Sequence, residues 1–446
     1  MIDIEIQAEL LTVLMFGLLI LFVLLGYPLG FVLGGIGLIM GVITNGWSMT
    51  EIVYLRMFGA ITEYTFLAVP LFILMGLMME RSGVSDGLFE ALHLWLGRFS
   101  GGLAIATVLL GTLLAATVGV IAASVTMLGL IAMPAMLKRG YSRELASGAV
   151  CAGGSLGILI PPSVMLVLYG PMANISVGQL FMAAFIPGFM LSALYCTYIA
   201  ISCLINPKLA PPAGDEAKGI PFLVKTRMLV TSLVPPMILI LAVLGSIFFG
   251  VAAPTEAAAV GALASILMCA AYRKLTLRAL RESLHGMVRV VGMAFVVVIG
   301  AAIFTSVFIK EGGANVVKDL ILAAPGGRWG SFFLIMFITF ILGMFIDWIG
   351  IILVMIPIMA PIGQALDFDP LWFAMMLIVN LQLSFITPPL AYAIFFLQGT
   401  VKPEMGITTA HIIRGVLPYI GLITIGLLLM IRFPQIALWL PSRMIS

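Results

Sequence analysis

From Leu10 to Phe433 the chain is a succession of long apolar runs separated by short polar breaks. About 20 apolar residues span the hydrocarbon core of a bilayer. Lipid offers backbone amides no water, so such runs are confined to structures whose hydrogen bonds close internally. Composition agrees: 62% of the 446 residues are hydrophobic and 9% are charged, against roughly a quarter charged in ordinary soluble domains. The expected fold class is an all-α polytopic membrane protein embedded in a lipid bilayer, and a soluble fold is excluded.

Several function classes fall away at once. A net charge of +3 makes no basic surface for nucleic acid, so no nucleic-acid partner is expected. Cys151, Cys196, Cys203 and Cys269 lie in apolar stretches without Cys-x-x-Cys spacing and read as packing residues. His93, His285 and His411 sit near segment ends, so no transition-metal site is expected. No Walker sequence, His-Glu-x-x-His or nucleophile elbow occurs. The chain is therefore expected to be no enzyme, to carry no cofactor and to draw on an ion gradient if its transport is active. The first residues, Met1 to Ile6, are acidic where a cleavable signal would be basic.

Apolar spans between charge clusters predict crossings near 10–25, 28–45, 64–80, 142–172, 178–205, 228–250, 255–272, 288–309, 371–400 and 408–432. The spans 101–137 and 329–366 are too long for one crossing, and each is either two crossings or a re-entrant hairpin. Basic residues concentrate on the cytoplasmic side of membrane proteins. With the N-terminus outside, the inner loops collect Arg81, Arg98, Lys138, Arg139, Arg143, Lys208, Lys218, Lys225, Arg227, Arg273, Lys274, Arg278, Arg281, Arg289, Lys402 and Arg414. The outer ones collect Arg56, Lys310, Lys318, Arg328, Arg432 and Arg443, which is six against sixteen and fixes the orientation.

The punctuation of the two long spans repeats. Gly101-Gly102, Pro134 and Pro161-Pro162 recur as Gly326-Gly327, Pro361 and Pro388-Pro389, with 27 residues from Pro134 to Pro161 and again from Pro361 to Pro388. Each unit carries an amphipathic segment, 83–98 and 311–324, before its long span. Five crossings separate the starts of the two units, so the second is inverted, an arrangement typical of secondary transporters.

Proline inside a helix removes a hydrogen bond and clashes with the preceding turn. Gly157-Ile-Leu-Ile-Pro-Pro-Ser163 and Ser384-Phe-Ile-Thr-Pro-Pro-Leu390 are thus expected to be breaks in otherwise continuous helices. A half-helix is expected to start at Pro161-Pro162 and at Pro388-Pro389, with Thr387 as the second cap. Its free amides suit a substrate carboxylate beside Ser163, while the carbonyls ending the preceding half suit sodium. Gly153, Gly154 and Gly157 let backbone approach closely, and Ser155 and Ser384 add oxygens. Two readings of Asn380 and Gln382 stay open: bonding a neighbouring helix, or facing the cavity. Asp347, deep in the second long span, is the most informative charge, as a cation ligand, a proton carrier or a structural hydrogen-bonding group.

The sequence resembles the large membrane subunit of the tripartite ATP-independent periplasmic (TRAP) transporters, the DctM-type permease of the ion transporter superfamily. The likeness runs over almost the whole chain and is carried by Pro70–Arg81 (PLFILMGLMMER), Lys138–Tyr141 (KRGY), Leu156–Ser163 (LGILIPPS), Gly178–Gly188 (GQLFMAAFIPG), Pro254–Gly261 (PTEAAAVG) and Asn380–Pro389 (NLQLSFITPP). Ala184 stands where the family usually has Gly. The resemblance implies an elevator-type sodium symporter with inverted repeats, two re-entrant hairpins and two discontinuous helices. On that plan residues 1–62 are N-terminal scaffold and 63–206 the first repeat, with hairpin 101–137 and broken helix 142–172. Residues 207–286 are connecting loop and scaffold, 287–433 the second repeat, with hairpin 329–366 and broken helix 371–400, and 434–446 the tail.

It implies partners as well: a small DctQ-type membrane subunit, a periplasmic substrate-binding protein and an organic acid substrate, in a bacterial inner membrane. Carried over residue by residue, one sodium site lies between Thr117, Gly119, Ser124 and the break at Ser155 and Gly157. The other lies between Gly343, Asp347 and the break at Ser384 and Thr387. The first tip departs from the family's Ser-Gly-Ser-Ser type, so backbone carbonyls are expected to carry most of that site. The competing expectation is a stand-alone organic anion carrier or sodium/proton antiporter of the same superfamily. The orientation is checked in a chain stripped of its native cysteines. Lys138→Cys is expected to react with a membrane-impermeant maleimide only from inside and Arg328→Cys only from outside; the reverse pattern overturns it.

Overall fold

The computed structural model describes residues 7–212, 221–389 and 391–444, and of Thr117 and Val118 the backbone alone. Every regular element among them is helical. In chain order they are α1 (Ala8–Leu24), α2 (Leu29–Asn45), α3 (Met49–Ile61), α4 (Ala68–Arg81), α5 (Val84–Leu96), α6 (Gly102–Val118) and α7 (Ile121–Lys138). Then come α8 (Arg143–Ser155), α9 (Val164–Ala173), α10 (Val177–Ile205), α11 (Phe222–Phe248), α12 (Pro254–Ala271) and α13 (Leu277–Lys310). The chain ends with α14 (Gly313–Leu322), α15 (Gly327–Gly343), α16 (Trp348–Ala365), α17 (Pro370–Ile386), α18 (Tyr392–Thr400), α19 (Thr409–Arg432) and α20 (Gln435–Leu438). Nine helical segments among the described residues are long and apolar enough to cross a membrane unaided. The sequence reading passes over α3, whose 13 residues reach only about 20 Å and carry Glu51 and Arg56. Lys218, counted among the inner cations, lies outside the described residues.

Lipid chains are as apolar as leucine, so helices in a bilayer hold together by close packing of small residues. Gly30, Gly34, Gly37 and Gly41 form such a stripe on α2, laid along α13. A Cβ on Gly30 would stand 2.7 Å from the Val296 side chain, and one on Gly37 would stand 2.9 Å from the Phe304 backbone nitrogen. Where α2 ends beside the end of α13, Lys310 Nζ donates to Asn45 Oδ1 at 2.6 Å and Asn45 Nδ2 donates to Glu311 Oε1 at 2.6 Å. On the other side α4 packs on α12, where Gly261 leaves room for Met75.

The units α4–α10 and α13–α19 share one order of elements, and their contacts come in exchanged pairs. α6 packs on α8 as α15 packs on α17; α7 meets α18 as α16 meets α9; α8 lies on α19 as α10 lies on α17. The amphipathic segments are the short helices α5 and α14. Five passages, α4, α8–α9, α10, α11 and α12, separate the two starts, which inverts the second unit.

Each long span is a pair of antiparallel helices whose outer ends are tied together. Leu103 N–H at the start of α6 donates to Tyr141 Oη beyond the end of α7 at 3.1 Å. Ser100 Oγ and Ser142 N–H both reach the segment after α10, donating to Ala210 O at 2.7 Å and Leu209 O at 2.8 Å. In the second pair Arg328 Nη2 donates to Asp367 O at 2.9 Å, with the guanidinium 4.1 Å over the Phe368 ring. Both pairs therefore bring their two ends back together, with the turn between them at the far end. The first turns at Gly119, whose φ of +67° suits glycine, and the second through Met344–Asp347.

A tight interhelical seam lies where α8 meets α19: a Cβ on Gly148 would lie 2.2 Å from the Gly415 carbonyl oxygen. Gly148→Leu is expected to force the helices apart and destabilise the protein by about 3 kcal/mol. The melting temperature in detergent measures this, with Gly245→Leu, where nothing lies within 4 Å, as a control that leaves it unchanged.

Candidate functional site

At the first break α8 ends at Ser155, a single 3-10 turn covers Leu156–Ile158, and α9 begins at Val164. Leu159 and Ile160 N–H still reach back to Leu156 O, at 3.0 and 3.1 Å. Ser155 Oγ donates to Ala152 O at 2.9 Å, and the buried Ser163 hydroxyl donates to Ile158 O. At the second break α17 runs to Ile386 and α18 begins at Tyr392. Both proline pairs, joined by cis bonds, lie inside the break instead of opening the new helix. A residue before proline is held out of the α region, so helix resumes only beyond the pair. Thr387 is not the expected cap: its Oγ1 donates backwards to Leu383 O at 2.6 Å, and Ala391 stands at the start of α18. Pro161 and Pro162 are buried, Pro388 half-buried and Pro389 exposed.

Each hairpin tip is seated on the break of its own unit through one glycine and one serine. In the first unit the glycine is in the break: a Cβ on Gly157 would come 3.0 Å from Ser124 Oγ and 3.6 Å from Val120 O. In the second unit the roles are exchanged. A Cβ on Gly343 would come 2.6 Å from Ser384 Oγ, which donates to Phe340 O at 3.1 Å. Gly157 and Ser384 are equivalent, each four residues before its proline pair. Ser124 Oγ is fully buried and has no hydrogen-bond partner among the described residues. Thr117's side chain lies outside the described residues.

A cavity of about 500 Å³ lies where these parts converge. Its walls come from the first tip (Val120, Ile121, Ala122), the second tip (Asp347, Trp348, Ile349), and the half-helix starts at Val164 and Tyr392. The opposite wall is α2 and α13, at Leu29–Phe31 and Val290–Val297. Asp347 stands at the N-cap position of α16 and is half-buried. Ala122 and Phe396 also line a second cavity beside Glu80 and Asp86, at the end of the molecule that carries Arg81. A third, of about 610 Å³, holds Arg56, Glu63 and Lys310 and shares no wall residue with the central one.

Asn380 and Gln382 are placed away from this cavity. Asn380 Nδ2 donates to Met336 O on α15 at 2.8 Å, so it bonds a neighbouring helix, and Gln382 is fully buried in α17. Tyr392, Val164 and the stretch of α13 were missed by sequence reasoning. They are ordinary apolar or aromatic helix residues, and only packing turns them toward the cavity.

The profile of the family described as tripartite ATP-independent periplasmic transporter, DctM component, matches residues 16–436. The C4-dicarboxylate TRAP transporter large permease protein DctM of Pseudomonas aeruginosa is 31% identical over 389 residues, 87% of this chain and 88% of that protein. The sialic acid TRAP transporter large permease protein SiaM of Vibrio cholerae is 30% identical, covering 94% of this chain and 95% of its own. The fold is shared with the crystal structure of the YdaH transporter of Alcanivorax borkumensis, with a TM-score of 0.64 at 15% identity over 96% and 98% of the two chains. This chain belongs to the DctM component family of tripartite ATP-independent periplasmic transporters.

Proposed function

We propose that this chain is the large membrane subunit of a sodium-coupled tripartite transporter in a bacterial inner membrane. It imports an organic acid delivered by a periplasmic binding protein, together with a small membrane subunit, and its work is translocation and not catalysis. The observation that carries the reading is the convergence of two hairpin tips and two half-helix starts on one cavity containing Asp347. Sodium takes oxygen donors, and half-helix ends with unwound carbonyls supply them in secondary transporters. The buried, unpartnered Ser124 hydroxyl beside Val120 O and Gly157 suits one such ion. The Gly343–Ser384 contact, in the hairpin that carries Asp347, suits a second.

On this reading the substrate carboxylate meets the amides that open α9 and α18, and sodium at Asp347 offsets the charge of both carboxylates. The hairpin units move as bodies against α2 and α13, in the manner of an elevator. Glu80 and Asp86 along the adjoining cavity favour departure of the cation toward the inside. Relatives named for C4-dicarboxylate and for sialic acid transport support an organic acid as cargo.

Uptake is measured in proteoliposomes holding the chain, the small subunit and the binding protein under an imposed sodium gradient. Accumulation is expected only with all three components and sodium. Asp347→Asn is expected to lower sodium-dependent uptake by about tenfold or more, the worth of one charge-assisted contact. Gly157→Ala, which sets a methyl against Ser124, is expected to raise the half-saturating sodium concentration. Full-rate uptake by this chain alone indicates a stand-alone carrier instead. Unchanged sodium dependence in Asp347→Asn removes that carboxylate from the ion site.

A further inference from the structure

We infer that the central cavity selects an organic acid with one carboxylate and an apolar body, aromatic or branched aliphatic, over a dicarboxylate or a polyhydroxy acid; this rests on the transport reading above. Of the described side chains that line it, Asp347 alone carries a formal charge, and Tyr392 and Trp348 are the others with a polar atom. The remaining wall is hydrocarbon or backbone, with Phe31, Ile73, Ile121, Met293, Val297 and Phe396 among its members. Among the described residues, no arginine, lysine or histidine lines it from any of the five helices or two tips that contribute.

The contrast within α13 is informative. Its Val290–Val297 stretch faces the central cavity, whereas Thr305, Ser306 and Lys310, further along the same helix, face the outer one with Arg56 and Glu63. The scaffold wall thus changes from polar to apolar on the way inward. Half-helix amides and a sodium ion at Asp347 provide for one carboxylate. A second carboxylate would add a charge to a wall that already holds Asp347 and offers no cation. Each hydroxyl of a sugar acid left without a partner loses about tenfold in affinity. Each methylene laid against the valine and methionine wall gains about fourfold.

The purified full-length chain with its small subunit in lipid nanodiscs, free of binding protein, provides the test, because selectivity then belongs to the permease. Thermal-shift titrations in sodium chloride compare phenylacetate and 4-methyl-2-oxopentanoate with succinate and gluconate. The first two are expected to bind at least about twentyfold more tightly than the last two, the effect of a few buried methylenes. The isosteric Val297→Thr, which sets a hydroxyl in the wall, is expected to weaken phenylacetate about fivefold and to leave succinate unchanged or improved. Succinate or gluconate binding as tightly as the apolar acids overturns the inference and leaves the transport reading intact. So does phenylacetate affinity unmoved by Val297→Thr. Binding of none of the four also overturns it, while the three-component uptake assay decides the transport reading separately.

Discussion

A backbone amide in hydrocarbon has nothing to bond except the chain itself, and two helices of this protein stop partway and resume. The rest of the architecture follows from what covers those two gaps. A hairpin reaches from one face and seats its tip on each break, and the partner unit closes the other side, α18 against α7 and α9 against α16. The unbonded groups are thereby turned toward a protein-walled cavity, where they can be used. A single broken helix without its hairpin would leave them in lipid.

How closely the tips approach is set by residue size. Gly157 admits Ser124, and Gly343 admits Ser384, so one glycine–serine contact closes each gap with the two residues exchanged between hairpin and break. The same exchange recurs higher up. Gly153, against whose backbone Gly111 packs, is replaced in the second unit by Asn380, which spans to α15 with a hydrogen bond. The two units therefore share a backbone plan and differ in how each junction is held. Charge is distributed unequally too: Asp347 is in the second tip, and the first offers a hydroxyl and carbonyls. A cavity assembled from unlike halves presents different chemistry to the two ends of whatever occupies it.

Much of this was legible in the residues. Apolar run length set the helices, and the matched Pro-Pro pairs located both breaks within a few residues. Where reading fell short, the reasons are local and physical. Thr387 looked like a cap because threonine before a turn so often is, yet its hydroxyl was taken by Leu383 O one turn back. The proline pairs looked like helix starts because proline suits the first turn, yet the restriction on the residue before proline moved both starts onward. α3 was passed over because its mixed composition resembles neither a span nor a loop.

The sequence by itself determined that the chain is helical and membrane-spanning, that it is built twice in opposite senses, and that each copy is interrupted at a proline pair. These are properties of single segments, fixed by burial of apolar runs and by backbone geometry. Tertiary structure alone decided what the interruptions face. Whether Asn380 binds a helix or a ligand, which residues each tip is seated on, and which valines of α13 line the cavity all depend on the packing of distant segments. A helix presents every side of itself in sequence, and only its neighbours decide which side lines the site.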